Sequence, residues 1–130
     1  MKYQIFLILI FFNMSEVSAE IKMNDQCGEQ SAVVKESRLF NNIKWKTASE
    51  QENFGYDIYR ADSKDGEYEI VNEDTIEGAG TTGDSTSYAF KDDSIDPCKQ
   101  YYYYIESISM DGVREAFTPK FQSKLKLQVK

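Results

Sequence analysis

Residues 43–60 (IKWKTASEQENFGYDIYR) constrain the fold more than any other stretch, because apolar and polar side chains alternate one for one in the runs at its two ends. Ile43 and Trp45 alternate with Lys44 and Lys46, and Tyr56 and Ile58 repeat the pattern around Asp57. A period of two sends one side-chain set into a core and the other into water, which a strand satisfies and a helix of 3.6 residues per turn does not. Between the two alternating runs, Ala48 to Gly55 carries Ser49, Glu50, Glu52, Asn53 and Gly55. These residues favour turns, so the stretch predicts two strands joined by a polar loop with Glu50 to Asn53 at its tip.

The same signals recur along the chain. Ser31 to Ser37, with Val33 and Val34, predicts a first strand, and Asp62 to Gly66 predicts a tight turn. Lys64 and Gly66 stand where a calcium loop of the EF-hand kind needs oxygen ligands, so that turn is not read as a metal loop. A short strand is expected over Tyr68 to Val71, followed by a long surface loop from Asn72 to Thr86 that is rich in Gly, Thr and Asp. Its glycines, Gly78, Gly80 and Gly83, lack the Gly-Lys-Ser/Thr ending of a phosphate loop. Tyr88 and Phe90 alternate with Ala89 and Lys91 as another strand, stopped by Asp92-Asp93. In Tyr101 to Ile105 a strand places Tyr101, Tyr103 and Ile105 on one face and Tyr102, Tyr104 and Glu106 on the other. Asp111-Gly112 is a hairpin turn signal. The last strand is interrupted at Pro119 and then aligns Phe121, Ser123, Leu125, Leu127 and Val129 on one face.

Two of these stretches resemble a known family. Thr47, Ser49-Glu50, Asn53, Gly55-Tyr56 and Arg60 are similar to the B strand, BC loop and C strand of fibronectin type III modules found in secreted bacterial proteins. Tyr101 to Gly112 resembles strand F and the hairpin that follows it. The resemblance covers residues 30–130 and implies a single all-β, immunoglobulin-like β-sandwich of about seven antiparallel strands. Trp45, Tyr56, Ile58, Tyr88, Phe90, Tyr101, Tyr103 and Ile105 are its expected core, and the Tyr101 hydroxyl is expected to bond back to nearby backbone. It also implies a module that binds or spaces rather than catalyses. Cys27 and Cys98 are not part of the family pattern.

Composition narrows the function. With 130 residues, 41% of them hydrophobic, the chain builds one core rather than two. It has no histidine, which removes the commonest general base and metal ligand. Its 22 carboxylates permit a glycosidase in principle, but turn and surface positions account for nearly all of them, so no catalytic, cofactor or metal residue is assigned. A net charge of −7 argues against nucleic acid as a partner. The acid-free run with Lys120, Lys124, Lys126 and Lys130 reads as the solvent face of the last strand, with an acidic partner or an anionic membrane as the alternative.

Residues 1–19 read as a secretory signal: Lys2, then the apolar run IFLILIFF, then Val17-Ser18-Ala19 as the cleavage site. The mature chain is then expected to begin at Glu20 with a polar lead-in over residues 20–29, to be secreted or periplasmic, and to have no stable membrane insertion after cleavage, with retention of residues 1–19 as an anchor as the alternative. In that oxidising setting Cys27 and Cys98 are expected to pair with each other, or else with a partner or a second copy. Against pairing within the chain stands the length of a strand beginning near Ser31, which separates the two ends of a sandwich by roughly 20 Å. A disulfide needs its Cα atoms within about 7 Å.

Tyr59, Tyr102 and Tyr104 are expected to share the outer face of one sheet. There they either anchor a protein or glycan partner at the cell envelope or stack on one another for stability alone. The function expected is therefore a non-catalytic binding or adhesion module, with a ligand-free spacer, or an accessory domain of a carbohydrate-processing enzyme, as alternatives.

Overall fold

The structure, a computed structural model, describes residues 26–127. The expected signal over residues 1–19 and its cleavage before Glu20 lie outside the described residues, as do Val129 and Lys130. Among the described residues eight antiparallel strands form two sheets: β1 (Asn41–Thr47) with β5 (Thr86–Asp92), and a six-stranded sheet built around β2 (Glu50–Ala61) and β6 (Tyr102–Ser109). Beside β2 lie β3 (Glu69–Ile70) and β4 (Ile76–Thr82); beside β6 lie β7 (Arg114–Ala116) and β8 (Phe121–Gln122). The protein is an all-β sandwich.

Alternation sets the inner faces. In β1 every second residue, from Asn41 to Thr47, is buried. Ile43 and Trp45 meet Tyr56, Ile58, Tyr101, Tyr103 and Ile105 across the sandwich, with Tyr88 and Phe90 packed against them. Trp45 stacks on Tyr88 at 5.2 Å between centroids, and Tyr56 sets its ring edgewise to both at 5.3 and 5.0 Å. Such pairs contribute about 0.5–1.5 kcal/mol each beyond the area they bury. Ile95, absent from the expected core, is fully buried within it. The Tyr101 hydroxyl does bond back to the backbone, accepting the Asp96 N–H at 2.8 Å.

Four expectations are corrected. Ser31 to Ser37 is not a strand but a turn and a short 3-10 segment, Lys35–Ser37. Val34 is 66% exposed, so this apolar pair has no core face to fill, while Val33 N–H and Ser37 N–H close local turns on Gln30 and Val34. The polar loop of residues 48–55 shrinks to Ala48 and Ser49, because β2 already begins at Glu50. Asn72 to Thr86 is not one loop: β4 runs through its middle and pairs with β2. Its glycines make that approach possible, since a Cβ on Gly78 would lie 2.6 Å from Asn53 Nδ2 and 2.8 Å from its carbonyl oxygen. Finally, the last strand breaks around Pro119 into β7 and β8, and no strand continues beyond Gln122 among the described residues.

Cys27 and Cys98 are joined, with Cα atoms 5.2 Å apart. The geometric objection disappears because the chain before β1 lies at the same end as Cys98. Gly28 N–H donates to Asp96 Oδ1, and the Gln30 side-chain amide donates to the carbonyls of Leu39, Asp93 and Ile95. The disulfide is compatible with an oxidising, extracellular compartment. No helix among the described residues is long and apolar enough to cross a membrane.

Candidate functional site

The antiparallel register of β2 and β6 sets three rows of side chains on the outer face of the large sheet: Ala61 with Tyr102, Tyr59 with Tyr104, and Asp57 with Glu106. The three singled-out tyrosines therefore share a face, because β2 and β6 are neighbours in one sheet and each strand alternates its side chains. Tyr59 and Tyr104 stack in parallel at 4.8 Å, and Tyr68, from the turn before β3, tilts onto Tyr104 at 5.1 Å. Tyr102 shares the face, but none of the ring pairs among the described residues includes it. Lys120 Nζ sits 4.9 Å from the centre of the Tyr68 ring.

Below the tyrosines, Asp57 and Glu106 stand directly opposite one another, a like-charge pairing that destabilises a sheet unless a cation is placed between them. Arg114, from β7, supplies it: Nη1 donates to Asp57 Oδ2 at 2.9 Å and to Glu106 Oε1 at 2.7 Å. Asn72 and Thr75 complete the shell of Asp57 at 3.0 Å each. Burial works to raise the Asp57 pKa, but the bonds from Asn72, Arg114 and Thr75 outweigh it and hold the carboxyl below its ordinary value. Tyr59 donates to Glu106 Oε1 at 2.9 Å; burial together with that carboxylate pushes its phenol up to about 12.

Between Tyr104 and the segment after β7 the face opens into a shallow cleft of about 470 Å³ lined by Tyr68, Tyr104, Glu106, Thr118, Pro119 and Lys120. It combines an aromatic floor with one carboxylate, one ammonium and the hydroxyls of Thr118 and the two tyrosines, a set that suits a ligand with an apolar face and polar rim.

Sequence reading missed three buried carboxylates, Glu50, Asp57 and Asp92, having placed nearly all acids at turns and surface. Glu50, assigned to a loop tip, receives bonds from Thr47, Asn53, the Ala79 N–H and Tyr88. Burial raises its pKa, but these donors lower it on balance. Asp92 is gripped by Arg60, Ser94 and Tyr103. The only signal for Asp57 was its place inside an alternating run; Glu50 and Asp92 had none, because their local donors are joined by Ala79 and Tyr88, and by Arg60 and Tyr103, from strands distant in sequence. Glu50 and Asn53 are buried, so of the predicted loop tip only Gln51 and Glu52 remain exposed. Among the described residues no group of three or more His, Cys, Asp or Glu side chains is arranged to hold a metal ion. No family model, curated protein or solved structure matches this chain.

Proposed function

We propose that this is an exported, non-catalytic β-sandwich of the fibronectin type III kind that binds a protein or glycan at the cell envelope through its tyrosine face. The observation that carries the reading is the cleft beside the Tyr59–Tyr104 stack, where rings and three kinds of polar group, carboxylate, ammonium and hydroxyl, converge on the outside of the large sheet. Rigid aromatic area with a polar tip gives contact at low entropic cost. Support for a non-catalytic role comes from the buried carboxylates. Glu50 and Asp57 are held ionised below their ordinary values, and Asp57 is clamped by Arg114, whereas a general acid needs a raised pKa. The compartment rests on the disulfide and on the apolar N-terminal run.

The spacer reading keeps one specific observation: Tyr59 and Tyr104 cover each other, so part of the aromatic area is already used within the sheet. The two readings separate on capture from the native envelope fraction with Tyr68→Ser, Tyr104→Ser and Lys120→Ala variants. Saturable capture that these changes abolish while the melting temperature stays within a few degrees supports the binding module. Absence of any saturable partner supports the spacer.

A further inference from the structure

We propose that the free edge of β1 is a strand-accepting site for an extended acidic peptide of a partner protein. β1 pairs with β5 along one edge only, and no strand among the described residues takes the other. A seven-residue edge with no neighbour offers a row of backbone donors and acceptors that an added strand can satisfy. That edge borders a groove of about 330 Å³ between the sheets, lined by Ile43, Tyr103 and Phe121 inside and by Lys124 and Lys126 on its far bank. No residue of β5 contributes to the groove, so it lies on the unpaired side of β1.

Charge selects the occupant. On a chain of net charge −7, the outer face of the small sheet carries Asn42, Lys44 and Lys46 from β1 opposite Lys91, Ala89 and Ser87 from β5, with no acid among them. None of Lys44, Lys46, Lys91, Lys124 or Lys126 takes part in a salt bridge among the described residues. Lysines on an edge strand repel a second copy of the same edge, which guards against self-association. The same lysines favour an incoming strand whose outward side chains are Asp or Glu, since opposite charges across a strand pair are stabilising. Its alternate, inward residues must be apolar to meet Ile43 and Phe121.

The test uses the full chain and two blocked peptides about nine residues long, enough to span β1 at roughly 3.3 Å per residue, one alternating Val with Glu and the other Val with Lys. The Glu peptide is expected to bind saturably, to weaken with added salt, and to slow exchange of the amides of residues 41–47 that do not bond to β5. Lys44→Glu with Lys46→Glu should weaken it by about tenfold or more and admit the Lys peptide, as two opposite-charge pairs become like-charge pairs. If that double variant fails to fold, Lys44→Gln with Lys46→Gln should weaken binding in the same direction by less.

Equal binding of the two peptides overturns the proposal. So does slow exchange, in the free monomeric chain, of those amides of residues 41–47 that do not bond to β5, which would mean that the edge is already occupied. Protection that appears only with concentration-dependent dimers would assign the edge to a second copy. Binding of phosphatidylglycerol vesicles through the same lysines, with no effect of the peptide, would assign it to a membrane.

Discussion

Each end of the sandwich holds one buried carboxylate that staples the small sheet to the large one, yet the two are satisfied by different means. At one end Asp92, 2% exposed, takes Arg60 Nη1 on both oxygens at 3.0 and 2.8 Å and Tyr103 Oη at 2.6 Å, and Asn41 donates to that hydroxyl in turn. At the other end Glu50, 8% exposed, has no cation in contact among the described residues. Its donors are the neutral groups of Thr47 (β1), Asn53 (β2), Ala79 (β4) and Tyr88 (β5). The Asp92 end also carries the disulfide and the Tyr101 bond to Asp96. The comparison teaches that a buried charge is tolerated either through a formal counter-charge or through enough oriented dipoles, and that the two solutions fail differently.

The largest effect is expected where a counter-charge is removed. Arg60→Met leaves Asp92 buried and unpaired and should cost about 3–5 kcal/mol in urea unfolding. A loss under about 1 kcal/mol would show that the hydroxyl donors alone carry Asp92 and would erase the contrast between the ends. Next, Cys27→Ser with Cys98→Ser opens a loop of 71 residues and should cost roughly 2–4 kcal/mol. That loss should be concentrated at the Asp92 end, where hydrogen exchange of Gly28 and Asp96 should accelerate first.

Glu50→Gln should cost only about 1 kcal/mol. Its carbonyl keeps the strict donors Asn53 and Ala79, while its new NH₂ faces the Thr47 and Tyr88 hydroxyls, which can turn to accept. A larger loss would mean that the charge itself, rather than the hydrogen bonds, holds this end.

Acid should distinguish the same variant. Glu50 and Asp57 have folded pKa values below their ordinary 4.5 and 3.8, so the stability they contribute is present above those values and is lost as pH falls through the lower, folded ones. Thermal melts of the native protein from pH 5 downward should show this decline, and Glu50→Gln should flatten part of it. The opposite sign applies to Tyr59: its phenol is raised to about 12, so its contribution is intact below about pH 10 and is lost as pH rises through 12. The smallest effect is expected for Tyr104→Ser, about 0.2–1 kcal/mol for one cross-strand pair. A multi-kcal/mol loss there would reveal the tyrosine face as a structural element and weaken its case as a site.

Alternation alone determined the strands at Ile43–Trp45, Tyr56–Ile58, Tyr88–Phe90 and Tyr101–Ile105 and the inward set of each, while the pairing of β2 with β6 brought Tyr59 onto the face of Tyr102 and Tyr104. A period of two is a property of neighbouring residues and survives any choice of partner strand. What tertiary structure decided is whatever depends on groups distant in sequence. Gly78, which reads locally as loop, is in a strand because only a residue without Cβ fits against Asn53. Val33 and Val34, which read locally as strand, remain outside because the turns closed by Gln30 and Val34 leave them no core to face. Glu50, Asp57 and Asp92 are buried because Tyr88, Arg114 and Arg60 reach them from strands 38, 57 and 32 residues away. A carboxylate is buried only where enough donors converge, and that convergence is created by the packing of the two sheets, not by the residues on either side of it.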